Sequence, residues 1–169
     1  MRVRVPPAEK QTIGETEMGI SIHFPKFTLD CGYFGFKMLR DKIVKMVPHE
    51  RFQKAHEDLD NNMFILDSAK RKKFFDDLNK KINDIEYLAN EGSSDKEKKQ
   101  LAYINNFSWA SDCDAKMTPK HAKAIWHYIQ NATEDFQFGY SGRPDCATFQ
   151  QFKQGIKDCV DEGKGFRWW

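Results

Sequence analysis

Gly19-Ile20-Ser21-Ile22-His23-Phe24-Pro25-Lys26-Phe27-Thr28-Leu29 is the stretch on which the fold turns. Ile20, Ile22 and Phe24 alternate with Ser21 and His23, the two-residue period of a strand with one buried face. Pro25-Lys26 interrupts and Phe27 and Leu29 resume the alternation, which predicts a short hairpin or a kinked strand. The far end of the chain, Phe166-Arg167-Trp168-Trp169, is apolar enough to be a further strand beside Gly19–Phe24. Strands at both ends with helical patterns between them make the expected class α+β rather than all-helical.

Between those ends the apolar residues recur at helical spacing. Asp30 is read as the cap of a helix with Phe36, Leu39, Ile43 and Val47 on one face, ended by Pro48. A second helix carries the stripe Phe52, Ala55, Leu59, Met63 and Leu66. Ser68 is the expected cap of a third, with Phe74, Phe75, Leu78, Ile82, Ile85 and Leu88 apolar. Gly92-Ser93-Ser94 is the clearest break and reads as an exposed loop. Asp95 to Phe107 follows as a helix burying Leu101, Ile104 and Phe107. Thr118-Pro119 is a cap followed by proline at the first helical position, with Ala122, Ile125, Trp126 and Ile129 facing inward. The last helix starts at Asp145 or Thr148, carries Phe149, Phe152, Ile156, Cys159 and Val160, and stops at Gly163. The expected architecture is mainly α within an α+β class. About five to six helices pack round one core with a small two- to three-stranded sheet.

Composition bounds the function. The 169 residues carry 27 Lys plus Arg against 25 Asp plus Glu, a net charge of +2, which argues against general nucleic-acid binding. No apolar run is long enough to span a bilayer, so no membrane association is expected. Residues 1–17 read as a flexible leader, with Met18 as an alternative start and 18–169 as a single globular domain. Arg2-Val3-Arg4-Val5 can be back-translated through GTTCGA, a word of transfer-RNA genes where mobile elements integrate; an ordinary flexible terminus fits equally.

The four cysteines, Cys31, Cys113, Cys146 and Cys159, are too sparse for a disulfide scaffold and are expected to be thiols of a cytoplasmic protein. Each follows an aspartate. Asp as a helix cap with Cys packed as a small apolar residue is the favoured reading, since an adjacent carboxylate raises a thiol's pKa. His121 and His127 are six apart and fall on different helix faces, so no metal is expected.

The candidate ligand site is Gly139-Tyr140-Ser141-Gly142-Arg143-Pro144-Asp145, ahead of a helix. Two glycines let successive N–H groups form an anion-binding concavity, and the helix start adds partial positive charge. Arg143 offers a planar fork for phosphate, Tyr140 a stacking face, Ser141 and Gly142 the turn, and Asp145 an acceptor for ribose hydroxyls. The alternative is a well-built turn. It is not a P-loop, whose spacing and lysine are absent. Gly32 and Gly35 open an earlier helix with Lys37 and Arg40 on one face, either a second phosphate contact or close packing. Lys70-Arg71-Lys72-Lys73, followed by Asp76 and Asp77, reads as a solvated helix face. Trp168 and Trp169 either fold into the core or bury in a partner or self-association interface. No catalytic residues, cofactor or metal ligands are assigned, because G-x-S-x-G, H-E-x-x-H and EF-hand patterns are absent.

Leu29-Asp30-Cys31-Gly32-Tyr33-Phe34-Gly35-Phe36-Lys37-Met38-Leu39-Arg40 and Phe138-Gly139-Tyr140-Ser141-Gly142-Arg143-Pro144-Asp145-Cys146-Ala147-Thr148-Phe149, with Phe152-Lys153, resemble segments of small Firmicutes and phage proteins of uncharacterised function. The resemblance covers roughly residues 18–169 and implies a bacterial-host cytoplasmic setting, with no activity, cofactor or partner attached. The expected function is a phage or mobile-element accessory protein that binds rather than catalyses, countering a defence system by sequestering a nucleotide-derived signal. The alternatives are an inhibitor of a host nuclease or effector protein and a small nucleotide-processing enzyme.

Overall fold

The computed structural model describes residues 19–62, 69, 70, 72, 73, 76, 77, 80 and 95–169. The expected leader, the stripe residues Met63 and Leu66, the Ser68 cap, the stripe Phe74 to Leu88 and the Gly92–Ser94 break lie outside these. So does the side chain of Leu59. Among the described residues the chain forms an antiparallel sheet with helices over one face.

The opening stretch is a hairpin. β1 (Gly19–His23) pairs with β2 (Thr28–Gly32), Ile20 opposite Cys31 and Ile22 opposite Leu29. The turn closes through Phe24 N–H donating to Phe27 C=O at 2.9 Å, with Pro25 and Lys26 between. The second strand runs three residues beyond Leu29, because Cys31 continues the buried row. Asp30 is therefore a strand residue, accepting from Ser21 Oγ at 2.6 Å, and not the expected helix cap. Gly32 precedes α1 (Tyr33–Met46) without a side-chain cap.

α1 buries Phe36, Leu39 and Ile43 as its spacing requires, and Pro48 separates it from α2 (Glu50–Asn62). At the start of α2, Phe52 N–H donates to His49 Nδ1 at 3.2 Å. α3 (Asp95–Trp109) buries Leu101, Ile104 and Phe107, and β3 (Ala115–Met117) follows. α4 (Pro119–Ile129) begins at a capping box: His121 N–H donates to Thr118 Oγ1 while Thr118 N–H donates to His121 Nδ1. α5 (Phe149–Glu162) has its own box through Thr148 and Gln151, and ends on Gly163 at φ +66°. β4 (Phe166–Trp168) closes the sheet in the order β2-β1-β4-β3.

The sheet thus has four strands rather than two or three. β4 lies beside β1 as expected, Ile22 opposite Trp168, while β3 is an addition that only its pairing with β4 reveals. Exposure alternates along each longer strand, so one face holds Ile20, Ile22, Leu29, Cys31, Phe166 and Trp168, all buried. Trp168 is the largest of these, 0% exposed. It packs on Phe36 at 4.9 Å and Phe107 at 6.0 Å, and donates its Nε1–H to Ser111 C=O at 2.8 Å. The placement of Trp168 at a partner interface is corrected by this burial: a residue already packed on all sides has no surface to offer. Trp169, one position on, points to the opposite face and is 49% exposed.

The aspartate–cysteine pairs do not cap helices. Asp30 is in β2, Asp158 lies inside α5, and Thr148 rather than Asp145 caps that helix. Cys31 and Cys159 are buried, and burial together with the neighbouring carboxylate pushes each thiol up to about 12, which makes them inert. Ala69, Lys70, Lys72, Lys73, Asp76, Asp77 and Lys80 are helical and exposed, as a solvated charged face requires.

Candidate functional site

The glycine–arginine loop is built by its own backbone. Phe138 and Gly139 N–H both donate to Ala147 C=O, at 2.9 and 3.0 Å; Arg143 N–H donates to Tyr140 C=O, and Cys146 N–H to Arg143 C=O. Gly142 sits at φ +80°, the left-handed region that glycine enters freely. The start of α5 is equally spent. Phe149 N–H donates to Phe136 C=O at 2.8 Å, Gln150 N–H to Asp135 Oδ1 at 3.3 Å, and Gln151 N–H to Thr148 Oγ1 at 3.3 Å. An anion at the helix start would have to displace existing partners, so the start of α5 is not the open end that was expected. What remains at the surface are the Ser141, Arg143 and Asp145 side chains, with the Arg143 guanidinium 4.9 Å over the Tyr140 ring.

The two glycine segments do meet, though as packing. A Cβ at Gly35 would overlap the Phe138 carbonyl, and Gly32 faces the Tyr140 ring. Lys37 and Arg40 turn away from this contact. Lys37 Nζ lies 2.7 Å from carboxylate oxygens of both Asp41 and Asp60. Arg40 is buried against Phe36, donating to Ala110 C=O at 2.9 Å and to the Asp112 carboxylate. The expected two-sided pocket is thus corrected: its two cations fix α1 to α2 and to the turn after α3. Asp41 also bonds His56 Nε2 at 2.8 Å. Burial opposes its charge, but hydrogen bonds from His56 and Lys37 prevail and hold the carboxyl below its ordinary value.

A different place gathers charge. Where β1 and β3 end and β4 begins, the chain leaves the sheet on three sides of an open cleft of about 420 Å³. Its floor is Phe24, Met117 and Phe166, all buried. Its rim holds Lys116, Lys164, Arg167 and His23, and no Asp or Glu lines it. The register explains the concentration. His23 is opposite Arg167 across β1 and β4, and Arg167 is opposite Lys116 across β4 and β3, so the three stand in one row on the outer face. Side chains directly opposite in an antiparallel pair have Cβ atoms about 5 Å apart, and like charges there are destabilising. Gly165 lets the rim close up, since a Cβ on it would overlap the Met117 carbonyl.

Trp169 orders this row. Its backbone continues the pairing, exchanging hydrogen bonds with Ser21 at 2.9 and 3.2 Å. Its indole stacks on the His23 ring at 3.7 Å between centroids, and the Arg167 guanidinium lies 4.3 Å over it. His23 Nδ1 hydrogen-bonds with Thr28 Oγ1 at 3.1 Å, while its Nε2 is buried without a partner. Burial and then the Arg167 charge lower the His23 pKa, partly countered by Asp30. Sequence reasoning named Trp169 but missed His23, Lys116, Lys164 and Arg167. The alternation Phe166-Arg167-Trp168 is a signal that could have set Arg167 outward, beside the strand that carries His23; nothing local marks Lys116.

No group of three or more His, Cys, Asp and Glu converges among the described residues. No helix among them is long and apolar enough to cross a membrane. Comparison with family models, curated proteins and solved structures finds no match, so the resemblance of residues 29–40 and 138–149 gains no support from relatives.

Proposed function

We propose that the protein acts by binding, holding a small anionic, nucleotide-type ligand in the cleft between the ends of β1, β3 and β4. The observation that carries this reading is the direct opposition of Lys116 and Arg167 beside an apolar floor, with no carboxylate in the lining. An anion would relieve a repulsion that folding otherwise leaves in place. The cell setting follows the resemblance of residues 29–40 and 138–149: a phage or mobile-element protein in the bacterial cytoplasm, sequestering a nucleotide-derived signal of a defence system. Melting curves against linear nucleotides, cyclic di- and trinucleotides and ADP-ribose derivatives test it. Ligand at ~100 times its Kd should raise Tm by roughly 5–10 °C. Recovery of the compound unchanged supports a binder; recovery of an altered compound makes the protein an enzyme, and no shift with any class removes the reading.

A second reading, an inhibitor that covers a host nuclease or effector, is favoured by one surface. Phe34 is 91% exposed on α1 and Met38 lies one turn further along the same helix, also exposed. Two large apolar side chains at that spacing form a spot suited to a protein partner. Stoichiometric capture that Phe34→Ser abolishes would establish it.

A further inference from the structure

We infer that the cleft at the end of the sheet selects a terminal phosphate monoester over a phosphodiester of the same nucleoside, with Lys116 and Arg167 meeting the phosphate and Lys164 closing on it. This rests on the binding reading above and specifies its ligand. The argument is geometric. Lys116 and Arg167 are register partners on adjacent strands, so both cationic side chains rise from neighbouring positions on one face of the sheet. Lys164 reaches the same rim from the connection between α5 and β4. A monoester presents three terminal oxygens and a charge of about −1.5 to −2 near neutrality, whereas a diester presents two free oxygens and a single charge. Three cationic side chains on the rim of one cleft match the charge of the first better than that of the second.

The surrounding charges favour the same choice. Lys164 faces Glu162 at 3.5 Å, an exposed pair that a bound phosphate can replace at little cost. His23 stands beside Arg167 with its Nε2 unpartnered; burial and that guanidinium lower its pKa, and Asp30 acts the other way. A dianion adjacent to Arg167 offsets the repulsion that lowers the His23 pKa, so the imidazole becomes easier to protonate on binding.

The test is isothermal titration of the full chain with adenosine and guanosine 5′-monophosphates, each against its 3′,5′-cyclic monophosphate, at pH 7.5. The expected result is at least about tenfold tighter binding of a monoester than of its cyclic diester, reflecting the extra charge-assisted contact. Lys116→Gln and Arg167→Gln should each weaken both ligands, the monoester more than the diester, and so cut that preference severalfold. Acidification through about pH 6 should shrink the preference, because the monoester loses its second charge there. His23→Gln separates the contribution of the imidazole from that of the ligand. Equal affinities for monoester and diester, both dependent on Arg167, would overturn this selectivity while leaving the cleft as a binding site. No binding of either class, or binding indifferent to both substitutions, would overturn the selectivity and the reading beneath it.

Discussion

The loop at residues 139–147 and the end of the sheet round Arg167 make opposite use of similar ingredients. The loop holds two glycines, an arginine, a tyrosine and a following helix start, yet its amides donate to its own carbonyls and the helix start is closed by Thr148, Asp135 and Phe136. At the sheet end, the register sets Lys116 against Arg167 with no acid in the cleft lining. What separates them is whether donors and charges are already satisfied. A loop rich in ligand-binding residue types can spend much of its backbone on folding, while two unremarkable cations become a candidate site when strand pairing sets them side by side.

The largest way to break the comparison is Trp168→Ala. It removes the buried indole that anchors β4 and should cost about 3–5 kcal/mol in denaturant unfolding. Binding at the sheet end should fall with it, since β4 carries Arg167. Gly35→Ala probes the other region. Its methyl would meet the Phe138 carbonyl, so α1 and the loop must move apart at roughly 1–3 kcal/mol, and ligand affinity measured on the folded fraction should stay put. A loss of affinity there would return the loop to the site.

Lys116→Glu sharpens the comparison with an opposite sign. Replacing a repulsive pair by an attractive one should stabilise the ligand-free protein by about 0.2–1 kcal/mol, a gain that fades with added salt. The same variant should lose its nucleotide-induced shift in Tm. A destabilised Lys116→Glu would mean that the two charges do not repel one another in the folded chain. The smallest effect belongs to Asp41, whose carboxyl is held below its ordinary value by His56 and Lys37. A depressed folded-state pKa contributes stability above the unfolded value near 4, lost as pH falls through the folded value. Asp41→Asn should therefore flatten the acid limb of the stability profile below about pH 4 and leave the cleft untouched.

Much of the scaffold was legible because it rests on local rules. Alternation in Ile20, Ile22 and Phe24 marked β1, Thr118-Pro119 marked the start of α4, and Gly163 marked the end of α5. The same parity placed Trp168 and Trp169 on opposite faces, which the reading of both as one interface overlooked. β3 was not legible, since three residues carry too little period and only β4 makes them a strand. Asp30 was misread because a cap and a strand end look alike until Cys31 is seen opposite Ile20. Where Arg40 and Lys116 find their partners was illegible for the same reason. Arg40 reaches a carboxylate 72 residues away, and Lys116 faces an arginine 51 positions on (167 − 116), pairings that no local pattern announces.

The most direct measurement is a melting-curve comparison, with and without nucleoside 5′-monophosphate, of the native chain, Arg143→Ala and the Lys116→Gln/Arg167→Gln double variant. The account predicts the same ligand-induced rise in Tm for the native chain and Arg143→Ala, and none for the double variant. A rise that survives in the double variant and vanishes in Arg143→Ala would contradict it and place the ligand on the loop.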